Sequence, residues 1–152
     1  MRLRDVFAKR MVSRARERLA VIGAEASVRE AAELMSRPHV DLVVVCGRDG
    51  AVVGVLTKTD LVAQIGRCSG AACTTMVRAI MSGDVASCRP DESLRDIWAM
   101  MKERRLQRIP LVDQRGKPIG IIYARDALQE LLGEVENEEA LLRDYVMSIG
   151  YQ

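Results

Sequence analysis

The chain has almost none of the side chains that bind metal ions or stack on nucleic-acid bases. It contains one histidine, His39, and aromatic residues make up 3% of its 152 residues. No C-x-x-C pair occurs, so the spacing typical of a zinc or redox site is missing. No nucleophile–base combination stands out either. We therefore expect no metal, no required cofactor and no catalytic residues, and we predict that the protein is not an enzyme.

Long apolar runs are also missing. No segment approaches the ~20 apolar residues that a membrane-spanning helix needs, and the N-terminus has no apolar core followed by a small-residue cleavage site. We therefore expect no membrane insertion. The four cysteines are typical of reduced, mostly buried thiols, which predicts a cytoplasmic protein. They are Cys46, Cys68, Cys73 and Cys88.

Charge is balanced overall but divided between the two ends. The net charge is +2, whereas residues 1–20 have a net charge of +5 and residues 134–152 a net charge of −4. We predict a basic N-terminal helix over residues 1–18, with Phe7, Met11 and Ala15 on one face. An acidic amphipathic helix over residues 134–152 is expected to pack against it, in the same chain or in a second one. Without aromatic interleaving, the basic end is not expected to bind nucleic acid.

One short motif occurs twice at an offset of 66 residues. Gly54-Val-Leu-Thr-Lys-Thr-Asp60 is matched by Gly120-Ile-Ile-Tyr-Ala-Arg-Asp126. In each copy an apolar strand leads into a helix that is expected to end at a glycine, Gly66 or Gly133. The aspartate therefore lies in the first turn of the helix, where free N–H groups and the helix dipole favour anions.

The match continues around the motif without a gap. Ser27 and Glu30 form a capping box, and Ser93 is expected to cap the equivalent helix. Continuous aliphatic runs after each helix predict buried strands, and glycine-containing turns lead back into the motif strand. A repeat of this length determines the expected fold.

This pattern resembles the CBS domain, the cystathionine-β-synthase-type repeat, present as a tandem pair. The resemblance implies an α+β (α/β-like) fold in which two β-α-β-β-α repeats pack about a pseudo-twofold axis, flanked by terminal helices. The expected boundaries are a helix over 1–18, repeat 1 over 19–66, a linker over 67–82, repeat 2 over 83–133 and a final helix over 134–152.

In such pairs, either of two clefts between the repeats can bind an adenine nucleotide. The motif aspartate typically holds the ribose hydroxyls, and hydroxyl side chains help to bind phosphate. Thr57, Thr59 and Asp60 match that motif, so the first cleft is the leading site. In some members a basic residue before the end of a strand binds phosphate. Arg108 matches that position in the second copy, and Leu42 replaces it in the first.

The second motif departs from the pattern. Asp126 is kept, but Tyr123 stands where threonine or serine is expected, and it either fills the cleft or stacks on a base. Arg125 replaces Thr59 and is expected to supply charge for phosphate. The first cleft would therefore have hydroxyls without an arginine, and the second arginines without the hydroxyl. One hypothesis is that the first takes a weakly charged adenosine compound and the second a phosphate-rich one.

The resemblance implies a regulatory module that binds AMP, ADP, ATP or a similar ligand, with NAD(H) and S-adenosylmethionine as further candidates. It also implies a homodimer that signals to an unidentified effector protein by a conformational or oligomeric change. The alternative is a ligand-free interaction module that acts through its terminal helices.

Overall fold

The structure of the chain is a computed structural model that describes residues 6–67 and 74–150. Within these ranges, helices and strands alternate in two similar series. The strands are β1 (Val21–Gly23), β2 (Leu42–Cys46), β3 (Val52–Thr57), β4 (Arg108–Val112) and β5 (Pro118–Tyr123). The α-helices are α1 (Val12–Glu17), α2 (Val28–Met35), α3 (Lys58–Arg67), α4 (Leu94–Glu103) and α5 (Ala124–Gly150), with 3-10 turns at Ala8–Met11 and Val77–Ala79.

The first repeat follows the expected order. β1 pairs in parallel with β2, and β2 pairs antiparallel with β3. All five residues of β2 are buried, as its aliphatic sequence predicts for a central strand. The Ser27 hydroxyl accepts a hydrogen bond from the Glu30 amide at 3.2 Å, which confirms the predicted cap of α2.

In the second repeat the first strand is reduced to a single bridge. β4 and β5 form an antiparallel pair, and Cys88 occupies the position that corresponds to β1. The Cys88 amide donates to the Pro110 carbonyl at 3.0 Å, and the Val112 amide donates to the Cys88 carbonyl at 2.8 Å. Pro90 follows two residues later, and because proline has no N–H it cannot extend the ladder.

Each repeat is completed by the segment that precedes the other repeat. The Leu94 amide at the start of α4 donates to the Val6 carbonyl at 2.7 Å. The equivalent amide of Val28 at the start of α2 donates to the Thr75 carbonyl at 2.8 Å. The N-terminal segment therefore packs on repeat 2, and the segment after α3 packs on repeat 1.

A buried apolar layer joins the two repeats. Leu42, Val44 and Cys46 from β2 cluster with Ile121 and Tyr123 from β5. Because alternate side chains of β2 and β5 meet across this layer, the two small sheets face each other. The predicted α+β fold of two similar repeats is confirmed.

The basic N-terminal helix is shorter than predicted. Helical structure begins at Ala8, since Phe7 is extended (φ −93°, ψ 152°) and bridges to Ser93. Hydrogen bonding between the Val6–Ala8 backbone and the start of α4 competes with helix formation there. Residues 1–5 lie outside the described ranges. Ser93 stands at the N-cap of α4, but its side chain makes no capping hydrogen bond, contrary to the prediction.

The predicted helix break at Gly133 is wrong. α5 runs for 27 residues through that glycine, although glycine in a helix interior costs about 1 kcal/mol relative to alanine. Leucine and glutamate, both good helix formers, flank it. Arg10 contacts Glu134 at 3.2 Å and Glu130 at 3.7 Å, so the basic and acidic ends meet within one chain. The predicted amphipathic character of the C-terminal helix depends on apolar side chains between residues 141 and 149, and these are not among the side chains that the structure describes.

Candidate functional site

The first motif forms a compact hydrogen-bonded corner between β3 and α3. The amide and hydroxyl of Thr57 donate to Asp60 Oδ2 at 2.9 and 3.1 Å. In return, the Asp60 amide donates to the Thr57 hydroxyl at 3.3 Å. This reciprocal arrangement satisfies backbone groups at the start of the helix and fixes both side chains. It places a carboxylate and a hydroxyl together at the positive end of the α3 dipole.

A cavity of about 320 Å³ opens at this corner. Thr57 and Asp60 line it from repeat 1, and Arg105, Gln107 and Arg108 line it from repeat 2. The volume is at the lower end of the ~300–1,000 Å³ typical of small-molecule sites. Apolar side chains form much of the remaining wall, including Leu42, Val55, Val85, Ala86, Ile109 and Pro110. The site therefore combines an apolar wall with a few convergent polar groups.

The expectation that the first cleft lacks an arginine is wrong. Arg108 begins β4, and the facing arrangement of the sheets brings it into the cavity that contains Thr57 and Asp60. The hypothesis that the first cleft takes a weakly charged ligand and the second a phosphate-rich one therefore loses its basis. Arg108 Nε is buried and has no hydrogen-bond acceptor among the described residues. A buried donor without an acceptor is energetically unfavourable.

Two cations beside the cavity share one carboxylate. Asp41 Oδ1 lies 3.2 Å from Lys58 Nζ, and Asp41 Oδ2 lies 3.2 Å from Arg108 Nη2. The hydrogen bond from Lys58 is the largest effect on the pKa of Asp41 and, together with the charge of Arg108, holds it below its ordinary value of 3.8, although burial opposes them. Asp41 is therefore ionised at neutral pH.

Four of the seven predicted site residues are not part of the wall of this cavity, and two of these four are exposed. Thr59 is exposed and is not part of the cavity wall, although it neighbours Asp60 in sequence. Arg125 is also exposed, with its guanidinium 5.4 Å from the centre of the Tyr123 ring. Successive positions on a helix point in different directions, so a matching motif position does not ensure that a side chain reaches the cleft.

At the second motif, the chain's own arginines bind the aspartate. Asp126 is 4% exposed. Arg18 donates to it from Nε at 3.0 Å and from Nη2 at 3.3 Å, and Arg14 donates from Nη1 at 3.3 Å. These arginines were not predicted as site residues, although their i, i+4 spacing places them on one face of a helix. Asp126 therefore anchors the N-terminal helix to repeat 2.

Tyr123 fills the space beside this ion pair. Its side chain is 5% exposed and belongs to the apolar layer between the repeats. The guanidinium groups of Arg18 and Arg108 lie 4.1 and 4.8 Å from the ring centre, within cation–π range. Of the two alternatives left open by the sequence, the structure shows a buried ring rather than a surface ready to stack on a base.

Arg105 is a cavity residue that motif analysis missed. Its φ is +56°, and His39, 66 residues earlier, has a φ of +69°. A left-handed backbone is uncommon for residues other than glycine, so its recurrence marks a structurally required turn before β2 and β4. The 66-residue offset aligns Arg105 with His39, and this alignment was the sequence signal that could have drawn attention to the turn at Arg105.

The described residues contain no group of three or more histidine, cysteine, aspartate or glutamate side chains placed to hold a metal ion. None of the described helices is long and apolar enough to cross a membrane. Cys46 and Cys88 are buried free thiols. Burial, with a smaller effect of Glu92, raises the pKa of Cys88 to about 12, so this thiol is unreactive at neutral pH. Cys68 and Cys73 lie outside the described residues.

These features define a class of protein with two similar repeats and a cavity lined by residues of both. The CBS domain model matches residues 4–67 and 77–133. The chain belongs to the CBS domain family.

Relatives are found both as small proteins and as parts of larger ones. The CBS domain-containing protein YhcV of Bacillus subtilis is 29% identical over 122 residues, covering 80% of this chain and 83% of YhcV. A homoserine O-acetyltransferase of Methanohalophilus mahii is 27% identical over 108 residues, which is 71% of this chain but 21% of the acetyltransferase. The chain therefore spans about a fifth of the length of that enzyme.

Solved structures share the same fold. The CBS-domain protein ATU1752 of Agrobacterium tumefaciens has a TM-score of 0.66 and 26% identity, covering 81% of this chain and 91% of ATU1752. The CBS domain pair of protein MJ0100, in complex with 5′-methylthioadenosine and S-adenosyl-L-methionine, has a TM-score of 0.68 and 18% identity, covering 86% and 98%. The cytosolic domain of the Mg²⁺ channel MgtE, in complex with ATP, has a TM-score of 0.64 and 22% identity, covering 79% and 51%.

Proposed function

We propose that this protein is a regulatory module that binds an adenosine-containing ligand in the first cleft. The observation that carries the proposal is the cavity in which Thr57 and Asp60 of repeat 1 meet Arg108 of repeat 2. The adenosine compounds bound by the MJ0100 pair and by MgtE support this ligand class. The protein acts as a binding module, and catalysis is not part of the proposal.

Each polar group has a chemical role in this proposal. The Asp60 carboxylate accepts hydrogen bonds from the ribose hydroxyls, because an ionised carboxylate only accepts. The start of α3 and the Arg108 guanidinium stabilise phosphate. The apolar wall packs on the adenine ring. The arginine favours a nucleotide such as AMP, ADP or ATP, while NAD(H) and S-adenosylmethionine remain members of the test panel.

Signalling requires that ligand binding changes the relation between the repeats. Because the cleft has walls from both repeats, a ligand that contacts Asp60 and Arg108 favours one relative placement of the two. We propose that this change is passed to a separate effector protein in the cytoplasm. The reduced buried thiols Cys46 and Cys88 are consistent with that compartment.

The oligomeric form in this proposal is a homodimer. Val62 and Ile65 on α3 are 67% and 57% exposed, and Leu128 and Leu132 on α5 are 37% and 51% exposed. Val62 and Leu128 are related by the 66-residue offset, so both repeats present apolar side chains from equivalent helices. Exposed apolar side chains on equivalent helices suit a symmetric contact with a second copy. Leu132→Glu is expected to shift the protein from dimer to monomer in sedimentation equilibrium.

The test of ligand binding compares the wild type with Asp60→Ala. AMP, ADP, ATP, NAD(H) and S-adenosylmethionine are screened by thermal shift and calorimetry. A ligand at about 100 times its Kd stabilises the fold by about 2.7 kcal/mol. We expect Asp60→Ala to weaken binding at least tenfold, about 1.4 kcal/mol. Thr59→Ala is the matched control, since this exposed neighbour is outside the cavity wall.

A second candidate function is a ligand-free interaction module that acts through its terminal helices. The ion pairs that Arg14 and Arg18 make with Asp126 favour it, because they close the second motif. If a folded wild-type protein bound none of the compounds in the panel, that result would support this candidate over the sensor.

A further inference from the structure

The cations beside the first cleft are already neutralised in part by the protein. Asp41 immediately precedes β2 and contacts both Lys58, at the start of α3, and Arg108, at the start of β4. Each of its two oxygens contacts one cation at 3.2 Å. The carboxylate thus lies where two cations from different repeats converge.

We propose that Asp41 occupies the anion-binding position of the first cleft in the free protein, and that the phosphate of an adenosine nucleotide displaces it. Asp41 thereby sets how strongly the cleft favours phosphate-bearing over uncharged adenosine ligands. This inference rests on the proposed function and adds a residue that determines how strongly the cleft prefers a charged ligand.

The exposure of the cluster makes this exchange feasible. The side chains of Asp41, Lys58 and Arg108 are 39%, 53% and 28% exposed. Ion pairs with this much solvent contact are weak, so replacing one anion by another costs little. Arg108 lines the cavity, and its Nε has no acceptor among the described residues, so Asp41 does not satisfy the whole guanidinium.

The charges of the cluster predict the direction of the effect. Lys58 and Arg108 carry two positive charges, and Asp41 cancels one of them. Replacing Asp41 by asparagine leaves both cations for the ligand, keeps a polar side chain of similar size and removes repulsion between the carboxylate and phosphate. An uncharged adenosine molecule experiences neither effect.

The test measures the preference for charge in the full chain by calorimetry. Adenosine, AMP and ATP are titrated into the wild type, Asp41→Asn and Asp41→Ala. The ratio of the Kd for adenosine to the Kd for AMP is expected to rise at least about threefold in both variants, as expected for an exposed charge. Asp91→Asn is the matched control, because it makes the same charge change at an exposed residue outside the cluster of Asp41, Lys58 and Arg108.

The outcomes separate this inference from the proposed function. An unchanged or lower ratio in both variants, with binding that still depends on Asp60, overturns the role of Asp41 and leaves the sensor intact. Tighter AMP binding by both variants with unchanged adenosine binding supports it, including where the wild type binds AMP too weakly to measure. Failure of every protein to bind adenosine, AMP and ATP overturns the role of Asp41, and the proposed function is overturned as well only if the wild type binds none of the compounds of the panel given above.

Discussion

Asp126 is expected to stabilise the fold rather than hold a ligand, and Asp126→Asn tests this directly. The substitution keeps the size of the side chain but removes the charge that faces Arg14 and Arg18. Asp126 is 4% exposed and accepts three hydrogen bonds from these two arginines. Asparagine has one oxygen that accepts and an NH2 group that only donates, so it cannot accept all three hydrogen bonds. Arg18 also loses its counter-charge.

The magnitude follows from the exposure of the two arginines. Arg14 is 54% exposed, and its contact is worth at most about 1 kcal/mol. Arg18 is 23% exposed, and its hydrogen bonds to a charged group are worth about 1.5–3 kcal/mol. We therefore expect Asp126→Asn to lower the free energy of unfolding by about 2–3 kcal/mol. For a chain of this size the corresponding fall in Tm is about 4–12 °C.

The assay is urea unfolding followed by circular dichroism, at one protein concentration, with Asp60→Asn as the control at the equivalent position. Asp60 acts within a helix cap, so its loss should cost about 1 kcal/mol. The double variant Arg18→Gln/Asp126→Asn should lose less stability than the sum of the single variants, by at least about 0.5 kcal/mol. The reasoning fails if Asp126→Asn costs no more than Asp60→Asn, or if it abolishes nucleotide binding while stability is unchanged.

Three further predictions concern the backbone and pH. Gly133→Ala should raise the free energy of unfolding by up to about 1 kcal/mol in urea titrations, because the glycine is inside α5 with open space around a Cβ; a loss would indicate a helix end there. Gly120→Ala should destabilise by about 3 kcal/mol or more in the same assay, since its Cβ would lie 2.6 Å from the Ala15 carbonyl oxygen; a neutral result would contradict this packing. Hydrogen bonds from the backbone amides of Lys117 and Arg115 lower the pKa of Asp113 below 3.8. The stabilising contribution of this carboxylate is therefore complete above about pH 4 and is lost as the pH falls through the lowered pKa. An NMR titration that gives a pKa of 3.8 or higher for Asp113 would refute this prediction.

The parts of the fold that were predicted correctly depend on short-range patterns. The capping serine of α2, the aliphatic run of β2 and the glycine turns are local features, and local features determine where helices and strands lie. Pro118 begins β5, one of the few positions in a sheet that suit a residue without an N–H. These residues specify their own structure with little help from distant contacts.

The parts that were missed depend on how the two repeats meet. Arg108 was assigned to the second cleft because it belongs to the second copy, whereas the facing sheets carry it into the first. Likewise, Arg14 and Arg18 were predicted only as part of a basic N-terminal helix, since nothing in their sequence identifies Asp126 as a partner. Gly133 was taken as a helix end because propensity favours it. In the structure the helix continues, and Glu134, the next residue, is paired to Arg10.

The reciprocal covering of the repeats has a consequence for cutting the chain. Val6 bonds to the start of α4, and Thr75 bonds to the start of α2, so each half carries a strip of backbone that belongs to the other half. Division between residues 66 and 83 would not yield two independent pieces, because at least one would lose backbone partners and a buried edge. Removing residues 1–18 would destabilise the second repeat, which is distant in sequence, more than the adjacent first repeat. The two halves are interlocked, and we expect them to fold and unfold as a single cooperative unit.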